Sequence, residues 1–77
     1  MGLKANQEMA EKYPILEFFK YSHLPDHLQK VSAPWCVLAW KVVRTLPANA
    51  ETSTALRKLL EGKDAAVRAA LSLPFEA

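Results

Sequence analysis

LQKVSAPWCVLAWKV, Leu28 to Val42, is the stretch that decides the fold. Its apolar positions Leu28, Val31, Trp35, Leu38 and Val42 recur at 3-4-3-4 spacing, which puts them on one side of an α-helix. Cys36, Ala39, Trp40 and Val43 fall beside that stripe and widen it. The spacing predicts a helix over 25–45, with Pro25 in its first turn, where a missing N–H is no loss. Pro34 lies inside the pattern, removes the bond to the Lys30 carbonyl and crowds the preceding turn. The stripe crosses it in phase, so the reading is a kinked helix, with a restart capped by Ser32 as the alternative.

Working outward, TLPANAET breaks the pattern, and Pro47 with Asn49 as candidate N-cap opens a second helix over 50–71. Leu56, Leu59, Leu60, Ala66, Val67, Ala70 and Leu71 form its apolar face; Gly62, Ala65 and Ala69 are small enough to admit a close neighbour, and Leu73-Pro74 ends it. Two long helices with so short a link fold back as an antiparallel hairpin. Upstream, 14–24 is an aromatic segment in which PILEFFKYS makes a short amphipathic turn against the hairpin. Residues 1–13 are expected to be the loosest part, with a loose helical turn over 3–12 stopped at Pro14. Two glycines and no Asn-Gly or Asp-Gly hairpin signal argue against a sheet. The fold class is all-α, a single small helical domain over 1–77, without internal repeats.

A 77-residue domain buries a modest share of its surface, and its apolar residues exceed what one partner helix covers, so a homo-oligomer is expected. The single cysteine, Cys36, has no intrachain partner, and no apolar run reaches the roughly 18 residues of a membrane span. The chain reads as soluble and intracellular. Ten basic against eight acidic residues leave a charge of +2, too mild for a duplex-DNA binder and compatible with a small anionic ligand.

His23 and His27 have the four-residue spacing of a helical zinc pair, but Pro25 lies between them and no third ligand is near, so no metal is assigned. Asp26 beside His27 is one contact rather than a catalytic constellation, Cys36 reads as an inert buried thiol, and no cofactor loop exists; the chain is read as a non-enzyme. On the second helix Arg57, Glu61, Asp64 and Arg68 form a solvated 4-3-4 line of Arg57/Glu61 and Asp64/Arg68 pairs. Lys63 differs, because it falls within the apolar face, where it either snorkels outward or meets an anion in an interface. Phe18, Phe19 and Tyr21 cannot all face inward from a short turn. Tyr21 is the ring expected to stay accessible, beside Lys20, His23 and Lys30, joining a stacking surface to cations as a base linked to a phosphate requires. The competing reading makes Tyr21 a lid on the hairpin.

The order FFKYSHLP, a helix beginning HLQKV, and PANAETSTALRKLLEGKDAAVRAAL after a proline break resembles the small phage anti-CBASS proteins that sequester cyclic oligonucleotide signals. The matching residues are Phe19, Tyr21, Pro25, Lys30, Pro47, Glu51, Ser53, Ala55, Leu56, Lys58 and Leu59, within roughly 17–71. The resemblance implies a homo-oligomer built from dimers, a hexamer in that family, working in the cytoplasm of an infected bacterial host. It implies binding of cyclic dinucleotides or trinucleotides at subunit interfaces without cleavage. By that carry-over Tyr21 stacks on a base and Lys30 meets a phosphate, with His23, Phe19, Lys63, Arg57 and Arg68 as the remaining ligand-binding candidates. Pro34-Trp35 and Gly62-Lys63 depart from the family's pattern. The alternative from a different class is a helical homo-oligomerisation or protein-interaction module with no nucleotide ligand.

Overall fold

The computed structural model describes residues 2–71, with side chains from residue 7 onward. Among the described residues the elements are α1 (Gly2–Lys12), a 3-10 helix (Pro14–Phe19), α2 (Asp26–Thr45) and α3 (Ala50–Leu71), with no strand. α2 and α3 pack along one another as a hairpin, and the 3-10 helix lies against both. The expected all-α hairpin with a short N-terminal helical segment is therefore observed, and α3 spans the range its spacing predicts. The N-terminal segment is more regular than expected. Over Gly2–Lys12 it is an eleven-residue α-helix rather than a loose turn, tied to the next element by Tyr13 N–H donating to the Met9 carbonyl at 2.9 Å. Met9 packs on the core, which gives a short helix the tertiary support it lacks alone.

Pro25 stands one residue outside α2, as its N-cap, and its carbonyl accepts from both Leu28 and Gln29 N–H at 2.9 Å. Asp26 in the first turn complements the positive end of the helix dipole. α2 runs through Pro34 without a break, so no restart occurs, and Ser32 is an interior, fully buried residue rather than a cap. Pro34 itself is exposed, so the Lys30 carbonyl that loses its helical donor lies on a side where solvent can replace the bond. At the hairpin turn the Asn49 side-chain oxygen accepts from Thr52 N–H at 3.0 Å, the expected N-cap, worth about 1 kcal/mol. The Thr52 hydroxyl adds a 2.6 Å bond to the Pro47 carbonyl and fixes the entry of the chain into α3.

The core gathers Tyr13, Leu16, Phe19, Ala39, Val43 and Leu56, with Met9, Trp35, Trp40 and Leu59 among the half-buried residues around it. Two sequence expectations are corrected here. The inward line of α2 runs through Leu28, Ser32, Ala39 and Val43, whereas Leu38, a member of the expected stripe, is 44% exposed. Counting hydrophobic residues located the stripe one position off, because the helix pair meets through small side chains. On α3, Ala65, Ala69 and Leu71 are exposed, and the anticipated close approach is seen at Gly62. The anticipated stop at Leu73-Pro74 lies outside the described residues.

A Cβ at Gly62 would stand 2.8 Å from Trp35 Cζ3 and 3.0 Å from Cη2. Glycine inside a helix costs about 1 kcal/mol against alanine, so Gly62→Ala would ordinarily stabilise. Here overpacking against a rigid indole costs about 1–3 kcal/mol and outweighs the gain. Gly62→Ala is expected to lower the midpoint of thermal unfolding, and Gly62→Ala combined with Trp35→Leu to recover part of the loss; a stabilised single variant would show that the ring swings away freely.

Candidate ligand-binding cleft

The 3-10 helix is the element that builds the cleft. With three residues per turn, it turns Tyr13, Leu16 and Phe19 inward, and they are buried to 6%, 3% and 0% exposure. The same geometry leaves Phe18 facing out, 63% exposed. Beyond Phe19 the chain turns through Tyr21 to Leu24, closed by Leu24 N–H to the Tyr21 carbonyl at 3.0 Å, and Gln29 Nε2 holds that turn by donating to the Leu24 carbonyl at 2.8 Å.

Between this turn and the C-terminal half of α3 lies an open cleft of about 370 Å³. The 3-10 side supplies Glu17, Phe18, Lys20, His23 and Leu24; α3 supplies Lys63, Asp64, Val67 and Arg68. Three cations against two carboxylates leave one net positive charge with His23 neutral. Lys20 Nζ lies 3.2 Å from a Glu17 oxygen, a pair exposed on both sides and correspondingly weak. Lys63 is held more firmly. Its side chain is only 13% exposed, with Nζ 3.1 Å from Asp64 Oδ1, so the stem is covered while the ammonium meets the cleft. Glu61, expected to pair with Arg57, instead lies 3.7 Å from Lys58 Nζ.

The seven residues proposed from sequence separate in space. His23, Lys63 and Arg68 come together in the cleft. Tyr21 is half-buried in a second cavity of about 360 Å³, a groove on α2 with Cys36, Val37, Trp40 and Arg44, where the Arg44 guanidinium carbon lies 5.1 Å from the centre of the Trp40 ring. Lys30 is exposed on α2 and lines neither the cleft nor that groove. Arg57 lines a third pocket, of about 200 Å³, together with Lys12, Tyr13 and Ser53. Phe19 is fully buried in the core and offers no surface to a ligand; this corrects its assignment as a binding residue. Burial pushes the Cys36 thiol above its ordinary value of 9.0, with a hydrogen bond to Trp40 pulling the other way, so the group stays protonated at neutral pH and is a poor nucleophile.

Phe18, Glu17 and Asp64 are cleft residues that the sequence did not suggest for binding, whereas Lys20 was expected as a cation beside the ring. The signal for Phe18 was present in the three-residue spacing of Tyr13, Leu16 and Phe19, which leaves the intervening ring outside. Among the described residues no group of three or more His, Cys, Asp or Glu side chains could hold a metal ion, and no helix is long and apolar enough to cross a membrane. No protein-family model, curated protein or solved structure matches the chain.

Proposed function

We propose that the chain binds and sequesters a cyclic oligonucleotide, a cyclic dinucleotide or trinucleotide, through the cleft between the 3-10 helix and α3. One observation carries this reading: an exposed aromatic ring, Phe18, shares a cavity with Lys20, His23, Lys63 and Arg68. A nucleotide presents a flat apolar base and an anionic phosphate side by side, and the cleft presents the counterpart of each. Phe18 takes the stacking role that the sequence assigned to Tyr21, and Lys63 with Arg68 takes the phosphate role assigned to Lys30. A volume of about 370 Å³ suits one nucleotide half rather than a whole cyclic molecule. The remainder of the ligand is then covered by a second copy of the chain, consistent with a homo-oligomeric sponge.

Calorimetric titration with cyclic dinucleotides and trinucleotides tests the reading, followed by heating the complex and analysing what is released. Saturable binding with intact ligand recovered is the expected result. Linear or monomeric nucleotide in the released material would replace sequestration with hydrolysis, and no binding by any compound would remove the nucleotide.

The second reading, an interaction module without a nucleotide ligand, is favoured by a different observation. Val37 and Leu38 stand exposed next to each other on the outer side of α2, beside the groove of Tyr21, Trp40 and Arg44. If that face alone matters, Val37→Glu abolishes association while the cleft variants leave it intact.

A further inference from the structure

A site built only to attract phosphate would gain from excluding carboxylates, yet this cleft carries two. Their positions differ. Asp64 sits on α3 against Lys63, among the groups that meet a phosphate, and its 3.1 Å contact holds that lysine in place. Glu17 sits on the 3-10 helix immediately before the exposed Phe18 ring. Its partner is Lys20, one 3-10 turn on, at 3.2 Å, with both side chains about two-thirds exposed. Such a pair is weak enough for a ligand to open. With the phosphate on the α3 side and the base stacked on Phe18, the one carboxylate that lines the cleft on the side of that ring is Glu17, alongside Lys20 and His23.

The bases answer a carboxylate differently. Guanine offers two parallel N–H donors on its pairing edge, N1–H and the N2 amine, which match the two oxygens of a carboxylate. Adenine offers an unprotonated N1 beside a single amine, so one carboxylate oxygen faces a lone pair. Hypoxanthine keeps N1–H and lacks the N2 amine. Building on the nucleotide reading above, we propose that Glu17 reads the base and makes the cleft selective for guanine-containing cyclic nucleotides over adenine-containing ones.

The test is a calorimetric series with the cyclic dinucleotides of guanine, hypoxanthine and adenine, on the parent chain and on Glu17→Gln. The guanine compound is expected to bind about 5- to 10-fold more tightly than the adenine one, with hypoxanthine between them. This is the low end of what a bidentate base contact gives, because the Glu17 side chain is 68% exposed. In Glu17→Gln the preference is expected to vanish or turn toward adenine, whose ring nitrogen and amine suit a carboxamide. Affinity for the adenine compound is expected to hold or rise, since a negative charge leaves a cationic cleft. Circular dichroism should be unchanged. Equal binding of guanine and adenine by the parent overturns the inference while leaving nucleotide binding intact, and so does a guanine preference that survives Glu17→Gln. Failure of all three compounds to bind overturns the nucleotide reading, and the inference with it.

Discussion

Phe19→Ala is expected to leave the chain largely unfolded at 25 °C, whereas Phe18→Ala one position away is expected to keep its fold and lose ligand. Phe19 is 0% exposed and sits at the centre of the cluster with Leu16, Ala39 and Leu56. Truncating a buried phenylalanine costs about 3–5 kcal/mol, and a core in a domain of this size supplies about the same amount in total. Nothing is left to hold the hairpin against the 3-10 helix. Phe18 is 63% exposed, so its removal costs the fold little, but a lost base-stacking ring weakens nucleotide binding by about 1–3 kcal/mol, roughly 5- to 150-fold. Chemical denaturation of both variants with titration of the folded one reads out the pair. A folded, cooperative Phe19→Ala chain would mean that the 3-10 helix is dispensable to the core, and the cleft it frames would lose its rigid wall.

How far the sequence carries can be followed at individual residues. The spacing of α3, the Asn49 cap and the helical course of α2 through Pro34 are local properties, and each is written in the chain within one or two turns. Which face of α2 turns inward is not local. Ser32 and Ala39 are completely buried in a helix packed by both α3 and the 3-10 helix, and α3 meets it closely where Gly62 sits against Trp35, 27 residues away in sequence. A scale that ranks residues by hydrophobicity favours Leu38 over both, so it selects a neighbouring stripe. Ser32 is the clearest case, since its hydroxyl is buried without a partner, an arrangement a sequence pattern treats as unfavourable. The site follows the same division. His23, Lys63 and Arg68 were legible as candidate ligand-binding residues, but their convergence depends on the hairpin returning the end of α3 to the segment before α2. Tyr21 and Phe18 exchange surroundings because the 3-10 helix ends between them: a period of three sends Phe19 into the core and leaves Phe18 over the cleft, and the extended backbone at Lys20 then leads into the turn that sets Tyr21 beside Trp40.

The largest effect on binding is expected from Lys63→Gln, and its controls decide between two placements of the ligand. Lys63 is the least exposed of the cleft lysines, so its ammonium meets a phosphate with little competing water. A charge-assisted contact of that kind is worth about 1.5–3 kcal/mol, which predicts a roughly 10- to 150-fold loss of affinity. The loss is expected toward the upper end. Removing the lysine also frees Asp64 from its 3.1 Å partner, and the cleft passes from one net positive charge to none, with a carboxylate then facing the phosphate. The dependence of affinity on salt should flatten in the same variant. Lys30→Gln and Arg57→Gln remove one positive charge each from the chain but lie outside the cleft, so both are expected to bind within about twofold of the parent, the effect of a screened distant charge. The comparison holds net charge constant across the three variants and changes only position. The opposite pattern, with Lys30→Gln and Tyr21→Ala destroying binding while Lys63→Gln leaves it untouched, would move the ligand onto the outer side of α2. There Tyr21, Trp40 and Arg44 would hold the base, and a neighbouring copy would have to bring Lys30 to the phosphate, since within one chain Lys30 lines neither cavity.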